Sequence, residues 1–261
     1  MLELSRVQQA GAGLGGSWPG SADGGLVMGI ARTNEELEAI QRLRYQVFTD
    51  EMNAIFPDGA DGLDSDRFDP WCEHFMVKES KTNRVVGTYR LLTPANALKA
   101  GEYYSESEFD ISSLSSVRHS LAEVGRSCIH PDYRNGSVIM LLWSGIAATV
   151  QGLGARYVLG CASVSLRDDG VTAAEVWRSA SKAIDSEPDL PIVTPRHRYP
   201  VERLDSELPA RVPPLIKGYL NLGAKICGEP AWDPDFNTAD FPVLLDMTRM
   251  DIRYRRHFGL V

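Results

Sequence analysis

Paired metal-ligand spacing is missing from this sequence. Its four cysteines, Cys72, Cys128, Cys161 and Cys227, form no CxxC pair. Its five histidines show neither HxxxH nor HExxH spacing, so no resident metal is expected. The cysteines sit among apolar neighbours and read as buried thiols of a reducing compartment. Basic charge is scarce as well. The chain carries 27 Lys and Arg against 35 Asp and Glu, a net charge of −8. That balance argues against a nucleic-acid partner, because phosphate contacts need clustered cations. No basic segment followed by an apolar run opens the chain, so no signal peptide is expected. The longest apolar stretch, Ser137 to Val150, is too short to span a bilayer. A cytoplasmic protein follows, with contact at the inner membrane surface at most peripheral. No internal repeat is present.

What is there is a chain of 261 residues, 43% hydrophobic, enough for a large core. Residues 1–28 are Gly- and Ser-rich and read as a flexible arm. A GxGxxG string begins at Gly11, but no strand precedes it and no helix follows, so it fails the context of a dinucleotide loop. The folded body is expected over 29–261. Thr33-Asn34-Glu35-Glu36 reads as a capping box. Apolar residues then recur at helical spacing from Leu37 to Phe48, predicting a helix through about Met52. A hairpin is predicted over His74 to Leu92, with its turn at Ser80 to Asn83. Residues 93–120 read as irregular. A strand over Leu121 to Ile129, an apolar helix over Val138 to Gln151 and a strand over Ala155 to Ala162 follow. Residues 165–213 read as a long insertion with one amphipathic helix, Thr172 to Ile184. A short helix over Pro214 to Leu222 and strands over Ala224 to Cys227 and Phe241 to Asp246 complete the pattern, before a basic end with Arg249, Arg253, Arg255 and Arg256. Such an order gives an α/β sheet covered by helices.

Several stretches resemble a known family. Leu43-Arg44-Tyr45-Gln46-Val47-Phe48 with Glu51, Asp66-Arg67-Phe68-Asp69, Gly87-Thr88-Tyr89-Arg90-Leu91, and Glu123-Val124-Gly125-Arg126 are similar, in that order, to acyl-homoserine-lactone synthases. Arg126-Ser127-Cys128-Ile129-His130-Pro131-Asp132-Tyr133-Arg134, Pro214-Leu215-Ile216-Lys217-Gly218-Tyr219-Leu220, Gly228-Glu229-Pro230-Ala231 and Ala239-Asp240-Phe241 resemble the ornithine-lipid-forming N-acyltransferases more closely. The resemblance spans about residues 30–258. It implies a GNAT fold, with a mixed central sheet splayed at a β-bulge and helices on both faces. It also implies transfer of a (3-hydroxy)fatty acyl group from a phosphopantetheine thioester onto an amino acid amine, ornithine first among them. Acyl carrier protein is the implied partner, acyl-CoA a second possible donor, and no permanently bound cofactor is implied.

The resemblance also distributes roles. Glu123 and Arg126, three apart on a strand, face opposite sides unless a bulge intervenes, and Gly125 is placed to supply one. Glu123 would then accept a proton from the acceptor ammonium, and the N–H groups of Cys128 and Ile129 would hold the thioester carbonyl. A buried Glu123–Arg126 salt bridge is the structural alternative. Arg134-Asn135-Gly136-Ser137 stands where acyl-CoA enzymes hold pyrophosphate at a helix N-terminus. Ser137 and Ile139 replace the usual small residues there, which suits the single phosphate of carrier-protein phosphopantetheine. Tyr219 matches the tyrosine that protonates the leaving thiolate. Arg44, Asp66, Asp69 and Arg90 match a polar cluster beside the acceptor site, and its carboxylates could hold a cationic amino acid or pin the first helix. Phe48 reads as core or acceptor-pocket wall. Arg196-His197-Arg198 and the terminal arginines are candidate contacts for an acidic carrier or anionic lipid heads. Two other readings remain: a lactone signal synthase, and a non-catalytic protein that binds carrier protein or a lipid surface.

Overall fold

The structure, a computed structural model, describes residues 21–22, 25–56, 61–203 and 211–261. The chain enters through two short antiparallel strands, β1 (Ser21–Ala22) and β2 (Leu26–Ile30). β2 pairs along its length with β3 (Glu73–Glu79). The folded body therefore reaches back into the expected arm, past the Gly29 boundary. Five residues with a glycine among them, of which Leu26 and Ile30 are buried, are too few for alternation to show in the sequence. The rest of that arm, 1–20 and 23–24, lies outside the described residues.

Helix α1 (Asn34–Met52) is capped as expected at Thr33, whose side chain accepts from the Glu36 N–H at 3.2 Å. The return bond is displaced by one residue, since the Glu36 carboxylate accepts from the N–H of Arg32 at 2.8 Å. Strand β3 continues into β4 (Val85–Leu92) as the predicted hairpin. Residues 93–120, expected to be irregular, hold a helix, α2 (Pro94–Ala100), capped by Thr93. A 3-10 turn at Tyr104–Ser107, strand β5 (Phe109–Asp110) and a 3-10 run at Ser112–Ser120 come next. These elements are too short to carry a period.

Strand β6 (Leu121–Ile129), helix α3 (Ser137–Gly152) and strand β7 (Tyr157–Ser165) form the centre. Then come α4 (Val171–Asp185), β8 (Thr194–Pro195), α5 (Pro214–Leu222), β9 (Lys225–Ile226), β10 (Ala231–Asp233), β11 (Thr238–Asp246) and α6 (Ile252–His257). The main sheet runs β1-β2-β3-β4-β6-β7-β11-β10, with β9 also on β11. Its pairs are antiparallel except β6 with β7, which run parallel. The expected insertion is built into the domain: Ala173, Val176 and Ala180 of α4 join the main core, with the helix against β7 and β9, and β8 pairs with β5.

Strand alternation sorts the two faces. Phe75 and Val77 of β3 pack with Val138, Leu142 and Ile146 of α3, while Met76 between them packs with Ile40, Leu43 and Val47 of α1. Helix α3 lies very close to the sheet. A Cβ at Gly87 would meet Val138 Cγ1 at 2.3 Å, so the strand presents bare backbone there.

One irregularity organises the rest. The ladder between β4 and β6 pairs Thr88 with Cys128 and Arg90 with Gly125, so Arg126 and Ser127 together oppose Tyr89. The bulge thus sits one residue beyond the expected Gly125. Arg126 takes the left-handed conformation, φ 50°, and Gly125 does not. On the other edge, β6 pairs with β7 only at Leu121–Tyr157, Ala122–Val158 and Glu123–Leu159. Beyond Glu123 the strands part, and a cleft opens in the middle of the sheet.

Candidate active site

The cleft is continuous. Its outer part, about 810 Å³, is lined by Phe48, Met52, Ser127, Ile129, Arg134, Gly136, Trp143 and Leu215. A polar inner chamber of about 100 Å³ shares Phe48, Met52, Ser127 and Leu215 with it and adds Arg90, Glu123, Arg126 and Tyr219. Behind Tyr89, Val124 and Tyr219 lies an apolar chamber of about 80 Å³, walled by α3, β7, β11 and α5.

Glu123 is the last residue of β6 before the strands part, and its carboxylate is buried. Oε1 accepts from the Ser105 N–H at 2.7 Å and the Ser105 hydroxyl at 2.5 Å; Oε2 accepts from the Tyr104 N–H at 2.7 Å. Burial pushes its pKa up, against the pull of these bonds and of Arg90. A carboxylate offers about four lone-pair positions, so Oε2 keeps one for a further donor. The alternative of a Glu123–Arg126 salt bridge is not realised. Arg126 turns to Asp64 and Asp66, each at 3.3 Å.

Past the bulge, His130 N–H donates to Val86 O at 2.8 Å. Alternation then turns Cys128 N–H the same way, into the β4 ladder, and Ile129 N–H toward the cleft. Of the two amides expected at the thioester, Ile129 supplies the open one. The Cys128 side chain is buried under α1, where burial pushes its thiol far up.

Tyr219, on α5, is half-buried, with its hydroxyl 2.5 Å from that of Tyr89 and its ring tilted against Trp143. Burial and the neighbouring phenol hold its pKa well above the usual value. Burial likewise pushes Tyr89 up to about 12, partly offset by its bonds to Tyr219 and Ser127. Both are neutral phenols with protons to give. Tyr89 was missed by sequence reasoning, since its role depends on β4 facing α5 across the cleft.

Arg134 turns back on its own strand. Nε and Nη2 donate to Ile129 O at 3.0 and 2.9 Å, and Nη2 also pairs with Glu51. Asn135 Oδ1 accepts the Ser137 N–H at 3.0 Å, and Gly136 holds φ 94° to start α3. This short loop borders the cleft mouth.

The expected polar cluster is present, with a third aspartate. Arg44, fully buried, pairs with Asp64 at 2.9 Å and Asp69 at 2.8 Å. Arg90 Nη1 reaches Asp66 and Asp69, both at 2.7 Å. Despite burial, Arg44 and Arg90 hold the Asp69 carboxyl far below its ordinary range, and Arg90 and Arg126 lower Asp66. Three guanidiniums answer three carboxylates. Asp66 and Asp69 are therefore committed to tying α1, the 61–69 loop and β4 together, which answers the expectation that they could hold a cationic acceptor. Phe48 is buried in the cluster under α1, meets Phe236 edge to face at 5.6 Å and lines the chamber.

On the opposite wall, Glu108, Asp233 and Asp240 bring carboxylate oxygens within 4.8 Å of one another. The sequence offered no signal for this grouping: Glu108 lies in the 3-10 region, and the other two lie on separate strands.

A sheet that parts at a bulge, with a buried carboxylate, an open amide and a phenol around the gap, defines an acyltransferase of the GNAT class. Residues 43–144 match the family described as "Acetyltransferase (GNAT) domain". The chain is 33% identical to the L-ornithine N(alpha)-acyltransferase of Brucella abortus, covering 90% of this chain and 89% of that one. It is 34% identical to the enzyme of the same name from Agrobacterium fabrum, over 90% and 86%. The protein belongs to the L-ornithine N(alpha)-acyltransferase family. Among solved structures, a CoA-dependent acyl-homoserine lactone synthase, BjaI, aligns with TM-score 0.49 at 16% identity over 87% of this chain and 83% of that one. No helix among the described residues is long and apolar enough to cross a membrane.

Proposed function

We propose that this enzyme transfers a fatty acyl group from an acyl carrier protein thioester to the α-amine of ornithine. The observation that carries the reading is Glu123 at the point where β6 and β7 part, in a chain of this family. The phosphopantetheine arm enters through the outer cleft, its phosphate near the Gly136 turn and its thioester carbonyl at Ile129 N–H. The acyl chain passes Tyr89 and Tyr219 into the apolar chamber. The acceptor occupies the polar chamber, and Glu123 Oε2 takes a proton from its ammonium, directly or through a water. The neutral amine attacks the thioester carbon, the oxyanion forms against Ile129 N–H, Tyr219 protonates the departing thiolate, and the second amine proton, shed as the amide forms, restores the phenol. Carrier protein rather than CoA is favoured by the loop after Arg134, where Arg134 is paired with Glu51 and Ser137 and Ile139 replace small residues. Exposed Arg249, Arg253 and Arg256 near the chain end are the proposed contact for the acidic carrier or for anionic lipid heads at the membrane.

The test is an incubation of the purified protein with acyl–acyl carrier protein or acyl-CoA and an amine panel, with the amide read by mass spectrometry. Acylornithine formed preferentially from the carrier thioester is the expected result. Folded protein that acylates no amine overturns the reading. A lactone formed from S-adenosylmethionine instead would make it a signal synthase.

A further inference from the structure

The acidic group across the chamber takes no part in the arginine ion pairs. Glu108 follows the turn that holds Glu123, Asp233 ends β10, and Asp240 lies within β11. Asp240 is 3% exposed, and its Oδ1 has no hydrogen-bond partner. The carboxylate oxygens of Glu108 are likewise buried, and the side chains that reach it are those of Asp240 and Tyr104, neither of them a cation. Asp233 Oδ1 accepts only from the N–H groups of Asp235 and Phe236, at 2.9 and 3.1 Å. Among the described residues no Lys, Arg or His forms an ion pair with any of the three. Arg126, the nearest guanidinium, lies 4.8 Å from the ring centres of Tyr104 and Phe236 and is committed to Asp64 and Asp66. Asp233 and Asp240 line the same inner chamber as Glu123, with Tyr104 and Phe236 beside them.

Buried carboxylates this close repel one another, and a fold keeps them only where something else stabilises them. We propose that Glu108, Asp233 and Asp240 bind the side-chain ammonium of the acceptor and so select a diamino acid over one with an apolar side chain. An ammonium brings one charge and three donors, matched to three carboxylates. The aromatic rings of Tyr104 and Phe236 beside the group suit an organic cation, and a divalent ion completed by water is the competing occupant that the experiment separates. Burial and mutual repulsion push Asp240 up to about 6 and Glu108 well above its ordinary value, so an empty site is strained and a bound cation relieves it. The inference rests on the acyl-transfer reading for which amine reacts, but not for the binding itself.

The experiment therefore has two arms. In the first, calorimetry follows ornithine and norvaline, which lacks the terminal amine, binding to wild type, Asp240→Asn and Glu108→Gln. In the second, KM and kcat are measured for the same pair with acyl–acyl carrier protein. Wild type is expected to bind ornithine and discriminate against norvaline. Each variant should weaken ornithine roughly 10- to 100-fold, leave norvaline unchanged and shift KM rather than kcat. Glu108→Gln guards against misfolding of the strand variant, and a thermal melt reports on both. Equal binding of ornithine and norvaline by wild type overturns the proposal even if transfer occurs. Equal loss of both ligands in the folded variants overturns it too, as a structural role. A calcium- or magnesium-dependent rise in melting temperature, lost in Asp240→Asn and without amino acid discrimination, overturns it in favour of a metal site. Ornithine binding that collapses in both variants, with no acyl transfer by wild type, upholds the site and defeats the acyl-transfer reading alone.

Discussion

In the proposed reaction Glu123 and Tyr219 would act on the reacting carbon from two sides, and each can be tested without dismantling its surroundings. Glu123→Gln keeps the side chain's volume and removes the base. Turnover should fall about 100-fold or more, the ordinary range for a lost general base, with KM for the thioester little changed in steady-state kinetics. Tyr219→Phe keeps the ring against Trp143 and removes the proton donor. A thiolate leaves more readily than an amine, so the expected loss in kcat is smaller, roughly tenfold. If Tyr219→Phe matched wild type, the proton would have to come from elsewhere. At this scale the sequence was legible for which residues reach the gap, their roles there being the proposal. Glu123, Tyr219, Phe48 and Ile129 all line the gap. It was not legible where roles depend on partners. Asp66 and Asp69 look available in a string of letters, and only the packing of α1 and β4 shows three arginines already answering them.

Among the elements, long periodic ones were readable. The first helix, the hairpin, β6 and α3 fall within a residue or two of expectation, because each repeats its apolar spacing several times. Strand β2, helix α2 and strand β10 were missed, each too short for a period to rise above local composition. The bulge was foreseen as a device but assigned to Gly125. Nothing in a residue's identity announced that Arg126 would take the left-handed backbone, and its two aspartate partners on the 61–69 loop help hold it there. The contact of α3 with β4 is the element most open to test. Gly87→Ala would drive a methyl into the stiff, branched Val138 at the first turn of α3. A destabilisation of about 1–3 kcal/mol is expected in chemical denaturation. Because the Gly136 turn starts the same helix, KM for the thioester should rise alongside.

For the whole molecule, pH sets two buried groups against each other. Burial, with Arg44 and Arg90 nearby, lowers the His74 pKa to about 4. Unfolding restores an ordinary imidazole near 6.5, so the unfolded chain binds more protons between about 4 and 6.5, and stability is lost as pH falls through that window. Asp240 works in the opposite sense. Its folded pKa of about 6 lies above its unfolded value, so stability is present at low pH and lost as pH rises toward 6. Glu108, raised by burial and by Asp240 and Asp233, adds to that opposing slope. The groups facing Asp240 across the chamber are Glu108, Asp233 and, more distantly, Arg126. In wild type the two slopes oppose each other between about pH 4 and 6. Asp240→Asn should raise stability at pH 7 and make the loss between pH 6 and 4 steeper, as read by denaturant midpoints at each pH. An unchanged pH profile would mean that Asp240 is not held strained in the folded state.

The brief partnership of β6 with β7 has one more consequence. A parallel ladder of three residue pairs leaves the inner edges of both strands with unpaired backbone groups in the middle of the sheet. A phosphopantetheine arm carries amides of its own and has the reach of an extended peptide. Bound there, it would stand in for the missing strand, as peptides do when they add to a sheet edge. Substrate would then act as mortar for the two halves. Hydrogen–deuterium exchange of the amides in 124–129 and 160–165 that face the gap, rather than β4 or β11, should slow with a non-hydrolysable thioester analogue. The enzyme would be most fully folded only while it holds its donor.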